Sequence, residues 1–192
     1  MYFSINTSYK VFMRLFIAIL FHKEVKDYLK SIMKELKESS LRGNFVDYNN
    51  LHLTLVFLGE LESDRKVRQA MELAVNKAGV NEFPISINGL GNFKRREGDI
   101  LWAGVEHNQD LYHIQKCLTK ELLAQGLEVE DREYKPHLTL ARKTVMKEGF
   151  DMKAPGMELP GVKQKVEKIS LMKSERENGK LVYTEVYGVK LE

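Results

Sequence analysis

The 192-residue sequence has a single cysteine, Cys117. One thiol excludes an intramolecular disulfide and any zinc site built mainly on thiolates, and it suits a reducing compartment, with the cytoplasm as the expected location. Prolines number only four, and the chain is 43% hydrophobic and 30% charged, close to ordinary globular composition, so disorder and collagen-like structure are excluded. Long hydrophobic runs are missing as well. The longest, residues 15–21, falls far short of the ~20 residues that span a bilayer. His22, Lys23 and Glu24 follow it where a cleavable signal needs small residues. No membrane partner is expected. Nor is there a large excess of one charge: thirty basic against 27 acidic residues give a net +3, too little for a protein that coats nucleic acid by charge alone. Two local basic stretches remain, Lys94-Arg95-Arg96 and the group Arg132, Lys135, Arg142 and Lys143. The first reads as solvated loop charge.

The length exceeds one typical domain of roughly 150 residues and is too small for two of that size, so one bilobed unit is expected. Residues 14–21 read as a buried strand, followed by a helix whose apolar stripe is Val25, Tyr28, Leu29, Ile32, Met33 and Leu36. Residues 45–47 and 51–58 read as strands. A second helix covers residues 65–78 and is closed by Gly79. Strands at 85–90 and 100–105 precede a third helix, marked by Leu111, Ile114, Leu118 and Leu122 and capped by Gly126. Further strands are expected at 127–130, 137–141, 166–172 and 181–191, with an irregular stretch around Pro155, Gly156, Pro160 and Gly161 and a polar turn over 174–180.

The two halves repeat. Leu15 corresponds to Leu101, Val25 to Leu111, and the tetrapeptide His-Leu-Thr-Leu at His52 recurs at His137, at separations of 86, 86 and 85 residues. A single long-period copy points to a duplicated half-domain rather than a solenoid, and so to two similar lobes with equivalent residues facing each other.

Strand alternation puts His52 and Thr54 on one face, with Leu51, Leu53, Leu55 and Phe57 on the other. The second copy sets His137 and Thr139 against Leu138 and Leu140. If a pseudo-twofold axis relates the lobes, both polar pairs line the cleft. Histidine titrates near pH ~6.5, so one ring can accept a proton while the other donates one. Phosphoryl transfer at a phosphodiester needs such a base, an acid roughly in line opposite it, and donors for the equatorial oxygens, a task suited to threonine hydroxyls. Zinc is a poor competitor, because it favours three or four His, Cys or carboxylate ligands and the motif offers two histidines with threonine.

The sequence resembles the 2H phosphoesterases, and within them the bacterial and archaeal RNA 2',3'-cyclic phosphodiesterases, also called 2'-5' RNA ligases. The motifs that carry the resemblance are Met13-Arg14-Leu15-Phe16-Ile17-Ala18-Ile19, Asn50-Leu51-His52-Leu53-Thr54-Leu55 with Phe57-Leu58-Gly59, Leu101-Trp102-Ala103-Gly104-Val105, and Arg132 through Pro136-His137-Leu138-Thr139-Leu140-Ala141-Arg142. It runs from Met13 to the C-terminus. Residues 1–12 therefore read as an N-terminal extension and residues 13–192 as a single bilobed domain.

The resemblance implies an α+β fold of two pseudo-symmetric lobes, each an antiparallel sheet with outer helices, around a central cleft. It also implies metal-independent hydrolysis of a 2',3'-cyclic phosphate to a 2'-phosphate, with no cofactor and with RNA ends or nucleotides, tRNA fragments among them, as partners of a monomer. In this reading His137 activates water and His52 protonates O3', while Thr54 and Thr139 hold phosphate oxygens and Arg142 contacts the phosphate. Ligation through a 2'-5' linkage is the reverse reaction, and a non-catalytic RNA-end-binding module is the reading from another class. Phe93 and Tyr134 are the candidate aromatics for stacking on bases, with plain packing the equal alternative for each. Val56 stands where the family often has lysine, which predicts a missing basic contact. Strict alternation places Arg142 on the core face, so a strand end or bulge after Ala141 has to turn it toward the cleft.

Overall fold

The computed structural model describes residues 12–130, 132–152 and 161–192. The reading of residues 1–12 as an extension falls, Phe12 apart, outside the described residues, as do Pro155, Gly156 and Pro160.

The elements run β1 (Met13–Leu20), α1 (Lys23–Glu38), β2 (Ser40–Phe45), β3 (His52–Leu61), α2 (Arg65–Ala78), β4 (Phe83–Phe93), β5 (Asp99–Val105), α3 (Gln109–Ala124), β6 (His137–Met146), β7 (Val162–Val166), β8 (Lys168–Glu177) and β9 (Lys180–Lys190). They form two antiparallel sheets. The first has the order β3-β1-β8-β9 and the second β2-β6-β5-β4-β7. The sheets match strand for strand, β3 with β6 and β1 with β5, and β2 is added at one edge.

Each repeat sends its helix to the other sheet. After β1 in the first sheet, α1 packs against β2, β6 and β7 of the second. After β5 in the second sheet, α3 packs against α2 and against β3 of the first. This exchange follows from the helical stripes, which need an apolar surface to cover: α1 buries Val25, Leu29, Ile32, Met33 and Leu36, and α3 buries Leu111, Ile114, Leu118 and Leu122. Burying such a side chain fully is worth about 1.5–3 kcal/mol, so each stripe commits its helix to one face. Both sheets and all three helices share one continuous core.

The helix ends follow the sequence signals. Gly79 closes α2 in the left-handed conformation at φ 57°. Past α3, the Gly126 and Leu127 N–H groups return to the carbonyls of Leu123 and Leu122, at 2.9 and 3.1 Å, which satisfies two carbonyls left open by the helix end.

Four expected elements change. Of residues 45–47, only Phe45 is strand. β2 ends at Phe45, and the Asp47 side chain accepts the Asn49 N–H to start the 3-10 turn Tyr48–Asn50. Residues 127–130 pair with no strand, because β6, to which they lead, already has β2 and β5 on its two sides. The single strand expected at 166–172 is two, β7 in the second sheet and β8 in the first, with the chain crossing between sheets at Glu167. The turn expected over 174–180 shrinks to Asn178 and Gly179, both at positive φ, since β8 and β9 stay paired out to Glu177 and Lys180.

Candidate active site

β3 and β6 approach each other across the cleft and carry the two His-x-Thr copies. Both strands bulge at the same place in the repeat. Opposite β1, Val56 pairs with Ile17 and Thr54 with Ala18, so Leu55 is the extra residue. Opposite β5, Ala141 pairs with Leu101 and Thr139 with Trp102, so Leu140 is the extra residue. An extra residue inverts the alternation beyond it. Leu140 and Ala141 are therefore both buried, and Arg142 is exposed on the face of His137 and Thr139. The turn toward the cleft comes from a bulge at Leu140, one residue earlier than expected. The inversion also corrects one first-lobe expectation. Phe57 leaves the core face and is 37% exposed, whereas Val56 is 4% exposed.

The histidines are anchored alike. The Nδ1 atoms of His52 and His137 lie 2.6 and 2.7 Å from the carbonyl oxygens of Asn50 and Lys135, each two residues upstream. A carbonyl can only accept, so Nδ1 carries the hydrogen and the neutral ring offers Nε2 as the base. In the first copy the Thr54 hydroxyl meets Nε2 at 3.0 Å. Burial lowers the pKa of both imidazoles against the raising effect of these backbone bonds. Positive charge lowers them further: Arg142 and His137 act on His52, and Arg132 and Arg142 on His137. Arg142 thus bears on both rings.

The surroundings of the two rings differ. His52 has Phe16 at 4.8 Å and the edge of Tyr183 at 5.2 Å between ring centroids. His137 has the edge of Phe93 at 5.1 Å. Burial holds the Tyr183 phenol above its ordinary value against the opposing charges of Arg142 and Arg14. A cavity of about 360 Å³ opens beside His137 and is also lined by Thr54, Phe57, Phe93, Arg95 and Arg132. Elements of both lobes therefore share one space.

Of the five residues expected from sequence at the site, Thr54 and His137 line this cavity, Arg142 acts electrostatically on both His52 and His137, the Thr54 hydroxyl meets His52, and Thr139 shares the half-buried face of β6 with His137. Tyr134 shows the packing alternative. It lines the cavity, but its hydroxyl donates to the Thr54 carbonyl at 3.2 Å and its ring packs edge-on against Tyr112. It ties the approach to the second motif to the first motif, and burial pushes its phenol far above the ordinary value. Sequence reasoning missed Asn50. Its buried amide donates to the Leu181 carbonyl at 2.7 Å and its side-chain oxygen accepts the Tyr183 N–H at 3.2 Å, fixing the carbonyl that orients His52. The sole signal was a polar residue directly before an apolar strand. Among the described residues no three of His, Cys, Asp and Glu stand together as metal ligands, and no helix is long and apolar enough to cross a membrane.

Comparison with known proteins agrees with this geometry. The family model of the 2'-5' RNA ligase superfamily matches residues 25–178. The RNA 2',3'-cyclic phosphodiesterase of Thermotoga maritima is 29% identical over 163 residues, covering 84% of this chain and 87% of the relative. That of Methanothermobacter thermautotrophicus is 29% identical over 177 residues, covering 90% and 96%. Among solved structures, E. coli LigT complexed with 3'-AMP superposes with a TM-score of 0.76 at 25% identity, covering 94% of this chain and 99% of that one. With two matched sheets, a histidine anchored in each, and the family model spanning both motifs, this chain belongs to the 2'-5' RNA ligase superfamily of 2H phosphoesterases.

Proposed function

We propose that this protein is an RNA 2',3'-cyclic phosphodiesterase that hydrolyses the cyclic phosphate of RNA ends or nucleotides, tRNA fragments among them, to a 2'-phosphate. The observation that carries this reading is the duplicated anchoring of the two histidines: each holds Nδ1–H on a carbonyl two residues upstream. The relatives named RNA 2',3'-cyclic phosphodiesterase support the same chemistry.

His137 stands at the open cavity, where water has access, and takes a proton from the attacking water at Nε2. The water oxygen bonds to phosphorus as the P–O3' bond breaks. His52, enclosed by Phe16 and Tyr183, gives its proton to O3'. Mutual repulsion of the imidazolium charges favours the required state with one ring charged and one neutral. Thr54 and Thr139 donate to the non-bridging oxygens, and Arg142 offsets the charge that builds there. The same groups run in reverse would join a cyclic phosphate to a 5'-hydroxyl, so 2'-5' ligation is the second reading. A binding module without turnover has no use for two anchored proton carriers. The protein acts as a monomer in the cytoplasm, and its catalytic domain is residues 13–192.

The test is purified protein with EDTA on a nucleoside 2',3'-cyclic phosphate. The 2'-monophosphate is the expected product, undiminished by the chelator. No turnover, a 3'-monophosphate product, or activity abolished by EDTA and restored by zinc would overturn the reading.

A further inference from the structure

The basic run Lys94-Arg95-Arg96 has no part in the acid-base chemistry, yet it is built with care. It caps the β4–β5 hairpin, whose base is closed by the Asn92 amide donating to the Asp99 carboxylate. The Arg95 N–H reaches the same carboxylate at 3.4 Å, and the Gly98 N–H donates to the Arg95 carbonyl at 3.1 Å. Glu97 pairs with Lys143 at 2.6 Å, and its carbonyl accepts from the Arg42 guanidinium at 3.4 Å. Gly98, at φ 112°, runs so close to β6 that a Cβ would sit 2.7 Å from the Lys143 carbonyl carbon. The hairpin is thus pinned beside Arg142.

Of the three cations, Arg95 lines the cavity that holds His137, and Lys94 and Arg96 do not. Its guanidinium lies over the Phe93 ring, 6.0 Å from the centroid. Phe93 is fixed in turn: it packs on Trp102 at 5.4 Å between centroids, and Trp102 lies across Gly91, where a Cβ would collide with the indole. Arg95 has no carboxylate ion pair among the described residues, and its side-chain hydrogen bond is to the neighbouring Lys94 carbonyl at 2.9 Å. The two carboxylates that line the same cavity, Glu130 and Glu133, pair with Arg132 and Lys135, and a guanidinium held on a ring in that lining without such a pair suits a phosphate. A ring beside the reacting site suits a base.

We propose that this hairpin clamps the RNA strand behind the reacting end: Arg95 takes the phosphodiester that joins the terminal nucleotide to its 5' neighbour, and Lys94 and Arg96 meet phosphates farther along. The proposal rests on the hydrolase reading and sharpens it to a preference for oligonucleotide ends over free cyclic nucleotides. Because the clamp is preorganised, little ordering cost offsets the contact.

The test compares kcat/KM on a nucleoside 2',3'-cyclic phosphate with that on a dinucleotide ending in the same group, for the wild type, Arg95→Gln and Arg95→Lys. The wild type prefers the dinucleotide, and Arg95→Gln shrinks the ratio of the two values by roughly tenfold, the usual scale of a lost charge-assisted contact. Arg95→Lys restores part of it. On a longer oligonucleotide, Arg95→Gln also lowers the salt slope of KM by about 0.7, the loss of one phosphate contact on a single strand. A wild-type ratio near one, or a ratio unchanged in Arg95→Gln, overturns the clamp and leaves the hydrolase reading standing. If the wild type hydrolyses neither substrate, the hydrolase reading itself falls.

Discussion

His52 and His137 hold equivalent places in the two halves of the molecule and are secured to different degrees. His52 is fixed from four sides: the Asn50 carbonyl and the Thr54 hydroxyl at its nitrogens, and Phe16 and Tyr183 at its ring. His137 has the Lys135 carbonyl and Phe93, and a cavity open beside it. The charge distribution differs in the same sense. Five residues after the histidine, the second half supplies the cation Arg142 and the first half Phe57, with Arg14 over its ring at 5.2 Å. On the proposed mechanism, duplication gave two proton carriers, and divergence separated an enclosed one, suited to a leaving oxygen, from an open one, suited to water.

The largest effects fall on the shared element. Positioned acid-base groups are worth about 10²–10⁴-fold each, and His52→Ala and His137→Ala are each expected to lose turnover on that scale. A large loss in one variant and a small loss in the other would break the equivalence of the halves. The pH profile of the wild type sharpens the same point. Burial lowers both imidazole pKa values, so the neutral base persists to lower pH and the acid loses its proton earlier. Both limbs of a bell-shaped profile therefore lie on the acid side of the ordinary ~6.5 of histidine; a rate that rises through pH 9 contradicts this.

Arg142→Gln is expected to cost about 10²-fold in kcat/KM, as for loss of one transition-state donor, whereas Phe57→Ala, at the equivalent place, costs far less. Comparable losses would erase the asymmetry of charge. Thr54→Val and Thr139→Val each cost roughly tenfold, the scale of one lost hydrogen bond to a charged group. Thr54→Val also frees the His52 ring, so its effect is the larger of the two.

The smallest effect on turnover separates the anchors. Asn50→Ala removes a buried amide that ties β3 to β9 and is expected to lower stability by about 1–3 kcal/mol, read by denaturant unfolding, with some loss of activity. Lys135→Ala leaves stability nearly unchanged, because the anchor there is the backbone carbonyl, which every residue has. Equal destabilisation by the two would show that the first histidine is not the more firmly held.

The site was legible where its logic is local. His-Leu-Thr-Leu states its own alternation, and its recurrence states the pairing of the lobes. The bulges were not legible, since Leu55-Val56 and Leu140-Ala141 are apolar on either side of an inserted residue, and the pattern reads the same with or without it. Phe57 consequently looked like core. The Asn50 clamp was hidden because it reaches Leu181, 131 residues away. Residues 127–130 alternate like a strand, but β6, to which they lead, is already flanked by β2 and β5, a property of the assembled sheet. The run at 166–172 conceals the crossing between sheets because buried apolar residues, Val166 of β7 and Ile169, Leu171 and Met172 of β8, stand on both sides of Glu167.

The central claim is that the two halves act as one acid-base unit, and a double-mutant cycle at His52 and His137 on a 2',3'-cyclic nucleotide tests it most directly, with folding of each variant verified. Residues that act together are strongly non-additive, so the account predicts that the double alanine variant is little slower than either single variant. Losses that multiply, or near-normal turnover in either single variant, would contradict it.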